Sequence, residues 1–235
     1  MRRLAIIPAR GGSKRIPRKN VRAFLGKPII AYSIEAALQS GLFEEVMVST
    51  DDAEIAEVAK TYGAQVPFMR SPETSDDFAT TAAVLYEVLQ QYAAAGRPFD
   101  LCCCLYPTAP LVQQAALAAA HQKLVSGNFD TVFPVVSYSY PIWRSLKMEG
   151  DKAVMNWPEH LNSRSQDLPP AYHDAGQFYW LRVDTFLQQR SLFTPNSGAV
   201  ALDELEVQDI DNLTDWKLAE LKYKLLHGLD ETNDR

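Results

Sequence analysis

The stretch Pro8-Ala9-Arg10-Gly11-Gly12-Ser13-Lys14-Arg15-Ile16-Pro17-Arg18-Lys19-Asn20 follows directly on the apolar run at residues 4–7. Residues 10–22 hold six Lys and Arg, where an even spread of the chain's 23 would leave about one. Paired glycines let backbone N–H groups approach an anion, and the cations neutralise it. The spacing fits neither G-x-x-x-x-G-K-[ST] nor G-x-G-x-x-G. On residue types alone the loop is either a polyphosphate cradle or a solvated basic patch facing nucleic acid. Its position straight after a strand favours the cradle.

A second constellation is Val207-Gln208-Asp209-Ile210-Asp211-Asn212. Read as a strand at 207–210, period two places Asp209 and Asp211 on one face and Ile210 on the other. Two carboxylates that close repel unless a cation lies between them, and Mg²⁺ with bound phosphate is the natural partner. The other reading is that one of them merely caps the last helix. Spacing leaves both open. Three consecutive cysteines, Cys102-Cys103-Cys104, cannot form a disulfide framework and lack C-x-x-C spacing. They read as small hydrophobes on a buried strand, consistent with a reducing cytoplasm. Of the histidines, His121 reads as structural and only His173 falls in a motif.

The elements that must position these groups alternate. Strands are expected at residues 4–7, 45–49, 65–69, 101–105 and 131–136. Between them lie helical apolar faces at Ile30/Ile34/Ala37/Leu38, Ile55/Val58/Ala59/Tyr62, Leu85/Val88/Leu89/Tyr92 and Leu117/Ala120/His121/Leu124. Asp51 or Asp52 can cap the second helix, with Gly41 and Gly63 ending the first two. This is an α/β pattern with a mostly parallel sheet, whose ligands sit in the loops after the strands. The rhythm breaks from 138 to about 180, a Pro- and Trp-rich tract expected to be an inserted lobe. Order returns with strands at 177–182 and 207–210 and a closing helix capped at Thr214 along Leu218, Leu221 and Leu225.

The 235 residues suit a single domain over 1–235 with that insertion. Net charge is −6, yet residues 1–34 carry nine bases and no acid, so the remainder stands at −15. Such asymmetry suits a local anion site better than a general nucleic-acid surface. No signal peptide or membrane-spanning stretch is read, so a cytoplasmic protein is expected.

Together, Ile7–Asn20, Val48-Ser49-Thr50-Asp51-Asp52, Tyr106-Pro107-Thr108-Ala109-Pro110 and Asp209-Ile210-Asp211 resemble the acylneuraminate cytidylyltransferases, over residues 4 to about 225. The resemblance implies a Rossmann-like nucleotidyltransferase fold with a small dimerisation lobe exchanged across a homodimer. It implies attack of a nine-carbon ulosonic acid's anomeric hydroxyl on the α-phosphate of CTP, releasing pyrophosphate. Arg10, Lys19 and Asp211 would be catalytic, with Asp211 helping to deprotonate the sugar. Ala9, Gly11, Gly12, Ser13, Asn20, Arg70, Asp77, Thr80 and Thr81 would complete the nucleotide site with Arg10 and Lys19. Asp209 and Asp211 would hold Mg²⁺. Arg164 would meet the sugar carboxylate, while Tyr106, His173, Gln177, Tyr179 and Phe193 would line the sugar pocket.

Two features depart from the sialic acid enzymes. Tyr106 stands where they carry Gln, and His173-Asp174-Ala175-Gly176-Gln177 replaces an Arg-Pro-Asn-Gly-like segment. Both variants resemble the pseudaminic acid branch, whose substrate carries a deoxygenated end that suits an aromatic face. The expected partners are CTP and an acidic nine-carbon sugar, with no nucleic acid and no membrane. The alternatives are a CMP-sialic or CMP-legionaminic acid synthetase, or, in another class, a non-catalytic nucleotide- or nucleic-acid-binding domain.

Overall fold

The structure is a computed structural model that describes residues 1–229. Strands β1 (Arg3–Pro8), β2 (Ala23–Phe24) and β3 (Lys27–Pro28) lead into helix α1 (Ile29–Gln39). β4 (Glu45–Ser49), α2 (Ala53–Thr61), α3 (Thr81–Ala94), β5 (Leu101–Leu105), α4 (Gln114–Ser126) and β6 (Thr131–Ser137) follow. Beyond the lobe hairpin β7 (Leu146–Glu149) and β8 (Lys152–Met155) come β9 (Tyr172–Asp174), β10 (Phe178–Arg182), α5 (Val183–Gln189), β11 (Ser197–Ala201) and α6 (Leu213–Leu226).

The seven-stranded sheet runs β11-β6-β10-β5-β1-β4, with β9 paired to β6. β1 pairs in parallel with β4 and β5, and β11 with β6. β10 fills the gap between β5 and β6, antiparallel to both, and β9 is antiparallel to β6. Five strands therefore share one direction, and the loops after β1, β4 and β5 emerge side by side at one edge.

Alternation along the strands splits the core into two layers. Ala5, Ile7, Val46, Val48, Cys103 and Trp180 pack under α1, α2 and α4. Leu4, Ile6, Met47, Cys102, Cys104 and Tyr179 pack under α3 and α5. The cysteines are free and fully buried, divided between the layers. Burial pushes the Cys102 thiol up to about 12, so it stays protonated. No helix among the described residues is long and apolar enough to cross a membrane.

Four expectations are corrected. Residues 65–69 form no strand; Gln65 makes a single bridge to Met47. Residues 207–210 form no strand either, because nothing pairs with them; Val207 and Ile210 are nonetheless buried. The last helix is capped by Asn212, not Thr214: its side chain accepts from Thr214 N and Asp215 N, and Asp215 reaches back to Asn212 N. Its inward face is Trp216 and Ala219, while Leu218, Leu221 and Leu225 are exposed. The inserted tract is also divided: residues 138–171 leave the sheet, whereas β9 and β10 belong to it.

Candidate active site

The loop after β1 is built by cross-links to the loops beside it. Ala9 is buried and its N–H donates to Ser49 O at 2.9 Å, extending the β1–β4 ladder by one step. Gly11 N–H then donates to Asp51 Oδ1 at 2.9 Å. A Cβ at Gly11 would sit 2.6 Å from Asp52 Oδ2, so only glycine allows this approach. Arg18 adopts φ 56°, in the left-handed region, and its guanidinium binds Asp52 at 2.5 Å and also Glu54. That pair pushes Arg18 up and Asp52 down from their ordinary pKa values. Asp52 also caps α2 by accepting from Ile55 N. One carboxylate thus anchors both the basic loop and a helix start.

On the other flank, Arg10 donates to Asp77 Oδ1 at 2.9 Å and to Asp76 O at 3.1 Å, and Lys14 pairs with Asp77. The hydrogen bond from Lys14 comes first among the causes that hold the Asp77 carboxyl low. Buried Asn20 donates from Nδ2 to Arg10 O at 2.9 Å, closing the loop on itself. Arg70 lies beneath the β4 end, donating to Ser49 O and Oγ; burial pushes its pKa down and Asp51 opposes the shift. Thr80 caps α3 through Ala83 N, and Thr81 Oγ1 lies 3.5 Å from Tyr106 Oη.

A small third core brings the acidic segment onto this loop. Ile16 from the loop and Ile210 pack together with Phe24, Tyr32 and Trp216. Ile210 therefore points inward and the flanking Asp209 and Asp211 face the loop. Lys19 Nζ donates to Ile210 O at 2.7 Å, between the two aspartates. Burial lowers the Lys19 pKa, and Asp211 and Asp209 pull it back up. Burial raises the Asp209 carboxyl, reinforced by the charge of Asp211 and countered by Lys19. Asp211 pairs with Arg15 at 2.6 Å. Neither carboxylate caps α6, since Asn212 and Asp215 do that. A cleft of about 390 Å³ opens here, lined by four cations (Arg10, Lys14, Arg15, Lys19) with Ser13, Asn20 and Tyr106. Gly12 lines the adjoining cavity with Gly11, Ser13 and Asp77.

Beyond the cleft is an aromatic wall. Tyr106 and Tyr179 pack at 5.5 Å between ring centroids, and Phe193 packs on Tyr179 and Phe133. Tyr179 is buried and donates to Asp174, whereas Phe193 is exposed. Gln177 is buried; its Nε2 donates to Glu206 O and its backbone carbonyl accepts from Tyr106 N at 2.8 Å. His173 is exposed beside Tyr138, with Nδ1 at 2.9 Å from Asp174 O, and it shares a cavity of about 310 Å³ with Asp209. Arg164 stands apart on the lobe, 75% exposed, with Asp167 on its own turn as its ion-pair partner. Within one chain, then, the nucleotide candidates, the aspartates and the aromatic wall converge, and Arg164 does not join them.

Residue reasoning missed Arg15, Arg18, Asp52 and Asp174 as parts of this site. Adjacent carboxylates directly after a strand, at Asp51-Asp52, were a readable signal for a partner of the basic loop. Asp174 lay within the singled-out segment His173–Gln177, but nothing in its type or spacing pointed to Tyr179 as its partner.

The cytidylyltransferase family model matches residues 4–213. The chain is 45% identical over 228 residues to the pseudaminic acid cytidylyltransferase of Campylobacter jejuni subsp. jejuni serotype O:2, covering 97% of this chain and 98% of that one. It is 34% identical to the CMP-N,N'-diacetyllegionaminic acid synthase of Legionella pneumophila, covering 94% and 95%. Among solved structures, a CMP:2-keto-3-deoxy-manno-octonic acid synthetase complexed with CTP superposes with TM-score 0.69 at 19% identity, covering 97% of this chain and all of that one. With a family match over most of its length and near full-length relatives, this chain belongs to the cytidylyltransferase family.

Proposed function

We propose that the protein transfers CMP from CTP to the anomeric hydroxyl of pseudaminic acid, releasing pyrophosphate. The observation that carries this reading is Lys19, in a cation-lined cleft, hydrogen-bonded to the Ile210 carbonyl of the Asp209-Ile210-Asp211 segment, with an aromatic wall beyond it. The 45% identity to a pseudaminic acid cytidylyltransferase supports the choice of sugar.

Arg10, Lys14, Arg15 and Lys19 neutralise the triphosphate and hold its α-phosphorus towards the sugar. Catalysis of this kind is mainly positioning and charge neutralisation. The anomeric oxygen forms the new P–O bond while the bond to pyrophosphate breaks. Asp211 accepts the hydroxyl proton. Tyr106, backed by the buried Tyr179, offers a ring face to the deoxygenated end of the sugar. The Arg164 guanidinium suits the sugar carboxylate.

Asp209 and Asp211 fit Mg²⁺: both are hard oxygen donors, and burial, reinforced by the charge of Asp211, raises the Asp209 carboxyl, so a cation there would be welcome. Among the described residues no group of three or more His, Cys, Asp or Glu could hold a metal. The remaining ligands would therefore come from the triphosphate and water. Bound there, Mg²⁺ would supply charge stabilisation at the transferring phosphorus.

The test is pyrophosphate release with CTP and Mg²⁺ across a panel of nonulosonic acids. Pseudaminic acid should react fastest, with N-acetylneuraminic acid slower by about two orders of magnitude, the scale of discrimination by unmatched polar groups. Equal or faster turnover of N-acetylneuraminic or legionaminic acid would reassign the sugar. No turnover with any of them would leave a non-catalytic nucleotide-binding role.

A further inference from the structure

The aromatic wall rests on a charged support. Asp174 ends β9, and both of its carboxylate oxygens are engaged. Oδ1 accepts from Gly176 N–H at 3.0 Å, which closes the turn into β10. Oδ2 accepts from the Tyr179 hydroxyl. Tyr179 is 2% exposed, so that hydroxyl sits where an unmet donor is costly. Burial, with the neighbouring Tyr106 and Asp174, raises the Tyr179 pKa, so it remains a phenol that donates.

From Tyr179 the contacts run on to the site. Its ring packs on Tyr106 at 5.5 Å with a 55° tilt. The Tyr106 backbone N–H is held by Gln177 O, on the same turn that Asp174 closes. Its hydroxyl reaches Thr81 Oγ1 at the start of α3. Turn, phenol and wall therefore form one chain of contacts with Asp174 at its root. A hydrogen bond to a carboxylate is stronger and more directional than one between neutral groups, which suits it to fixing a ring plane.

We propose that Asp174 is a positioning residue for sugar recognition: through the Tyr179 hydroxyl it sets the tilt of Tyr179 and hence the face that Tyr106 presents to the substrate. This rests on the proposed reaction. It adds that sugar selectivity depends on a carboxylate that lies behind the wall and touches no substrate.

The turn bond and the wall bond can be separated. Tyr179→Phe removes the wall bond and leaves Gly176 N–H on Asp174. Asp174→Asn can still offer an oxygen to Tyr179, whereas Asp174→Ala removes both bonds. Initial rates with CTP, Mg²⁺ and varied sugar are measured for wild type, the three variants and the double variant Asp174→Ala/Tyr179→Phe. The expected result is a rise in sugar KM of about tenfold for Asp174→Ala and Tyr179→Phe, the scale of a lost charged hydrogen bond. The CTP KM should stay within about twofold, Asp174→Asn should recover part of the loss, and the double variant should be no worse than Asp174→Ala alone. Preference for pseudaminic over N-acetylneuraminic acid should narrow in both single variants.

Equal rises in both KM values, or a double variant whose loss is the product of the singles, would overturn the proposal. So would Tyr179→Phe with wild-type sugar kinetics. If the wild type converts a different acidic sugar, only the sugar assignment fails, and the same KM split is read on that sugar. If it converts none of the panel, both readings fail.

Discussion

Lys19 is where the two chemical halves of the site meet. Its ammonium is partly desolvated, yet it is held by a carbonyl at 2.7 Å, and the charges of Asp211 and Asp209 favour its charged form. A cation fixed in this way needs little reorganisation when charge develops on a phosphoryl group. Lys14 and Arg15 differ, being 78% and 68% exposed, whereas Arg10 is 39% exposed and pinned to Asp77. Lys19→Ala and Arg10→Ala should therefore depress kcat/KM far more than Lys14→Ala or Arg15→Ala, and raised salt should weaken CTP binding. Four equal, small effects in steady-state kinetics would reduce the loop to a charged surface. At the acidic side, Asp211→Asn should lower turnover by at least about a hundredfold, the usual scale of a lost general base. Asp209→Asn should act similarly or more mildly. Both variants should melt within a few degrees of wild type, because neither carboxylate caps α6 and the Arg15–Asp211 pair is exposed. Near-normal rates for both with Mg²⁺ present would remove the pair from the mechanism.

At the scale of elements, Asp52 couples the basic loop to α2. It caps that helix and holds Arg18, whose left-handed backbone needs an external tie. Asp52→Ala should cost about 1–2 kcal/mol in urea unfolding at neutral pH, the scale of a lost cap. The pH dependence has a definite sign. The Asp52 pKa is depressed in the folded state, so its ionic contribution is present above the ordinary carboxylate range and is lost as pH falls through the folded value. The gap between wild type and Asp52→Asn should shrink as pH is lowered from about 6 to about 3; a gap that stays constant would show that Arg18 contributes nothing through charge.

Most of the first half of the chain was readable, the short stretch at 65–69 apart, because its central strands are covered by helices and each helix buries one face, so burial imposes its period on the sequence. The Cys102–Cys104 run and the face Leu85/Val88/Leu89/Tyr92 show this directly. The misreadings share a different physics. Asp209-Ile210-Asp211 alternates like a strand, but its period comes from one isoleucine entering a small side core with no strand beside it. In α6 the leucines drew the eye, while Trp216 and Ala219 supply the buried face against Phe24 and Tyr32. β11 is Ser-Gly-Ala-Val-Ala, where Gly198 abuts Phe129 closely and small size matters more than hydrophobicity. The basic loop and Tyr106 were legible by type and place. Asp174 was not, because its role arises only when β9 and β10 fold back on the same sheet.

The whole molecule leaves one expected contact unmade. The lobe exposes Tyr138, Tyr140, Leu146, Met148 and Leu161, an apolar surface on a segment outside the main sheet. Arg164, on the same lobe, pairs with Asp167 and, among the described residues, makes no hydrogen bond, ion pair or ring contact with the aromatic wall. One arrangement would account for both facts: the lobe packing on a second copy would bury the aromatics and deliver Arg164 to that copy's sugar site. A homodimer by light scattering is the first expectation. The sharper one is complementation between two inactive variants, Asp211→Asn and Arg164→Ala. If sites are shared, a mixed dimer has one site with both defects and one with neither. With free exchange half the dimers are mixed, so an equimolar mixture should recover about a quarter of wild-type activity per site, by the two-fold symmetry of the assembly. An active monomer, or an exchanged mixture no better than its two components, would place Arg164 in the service of its own chain or of none.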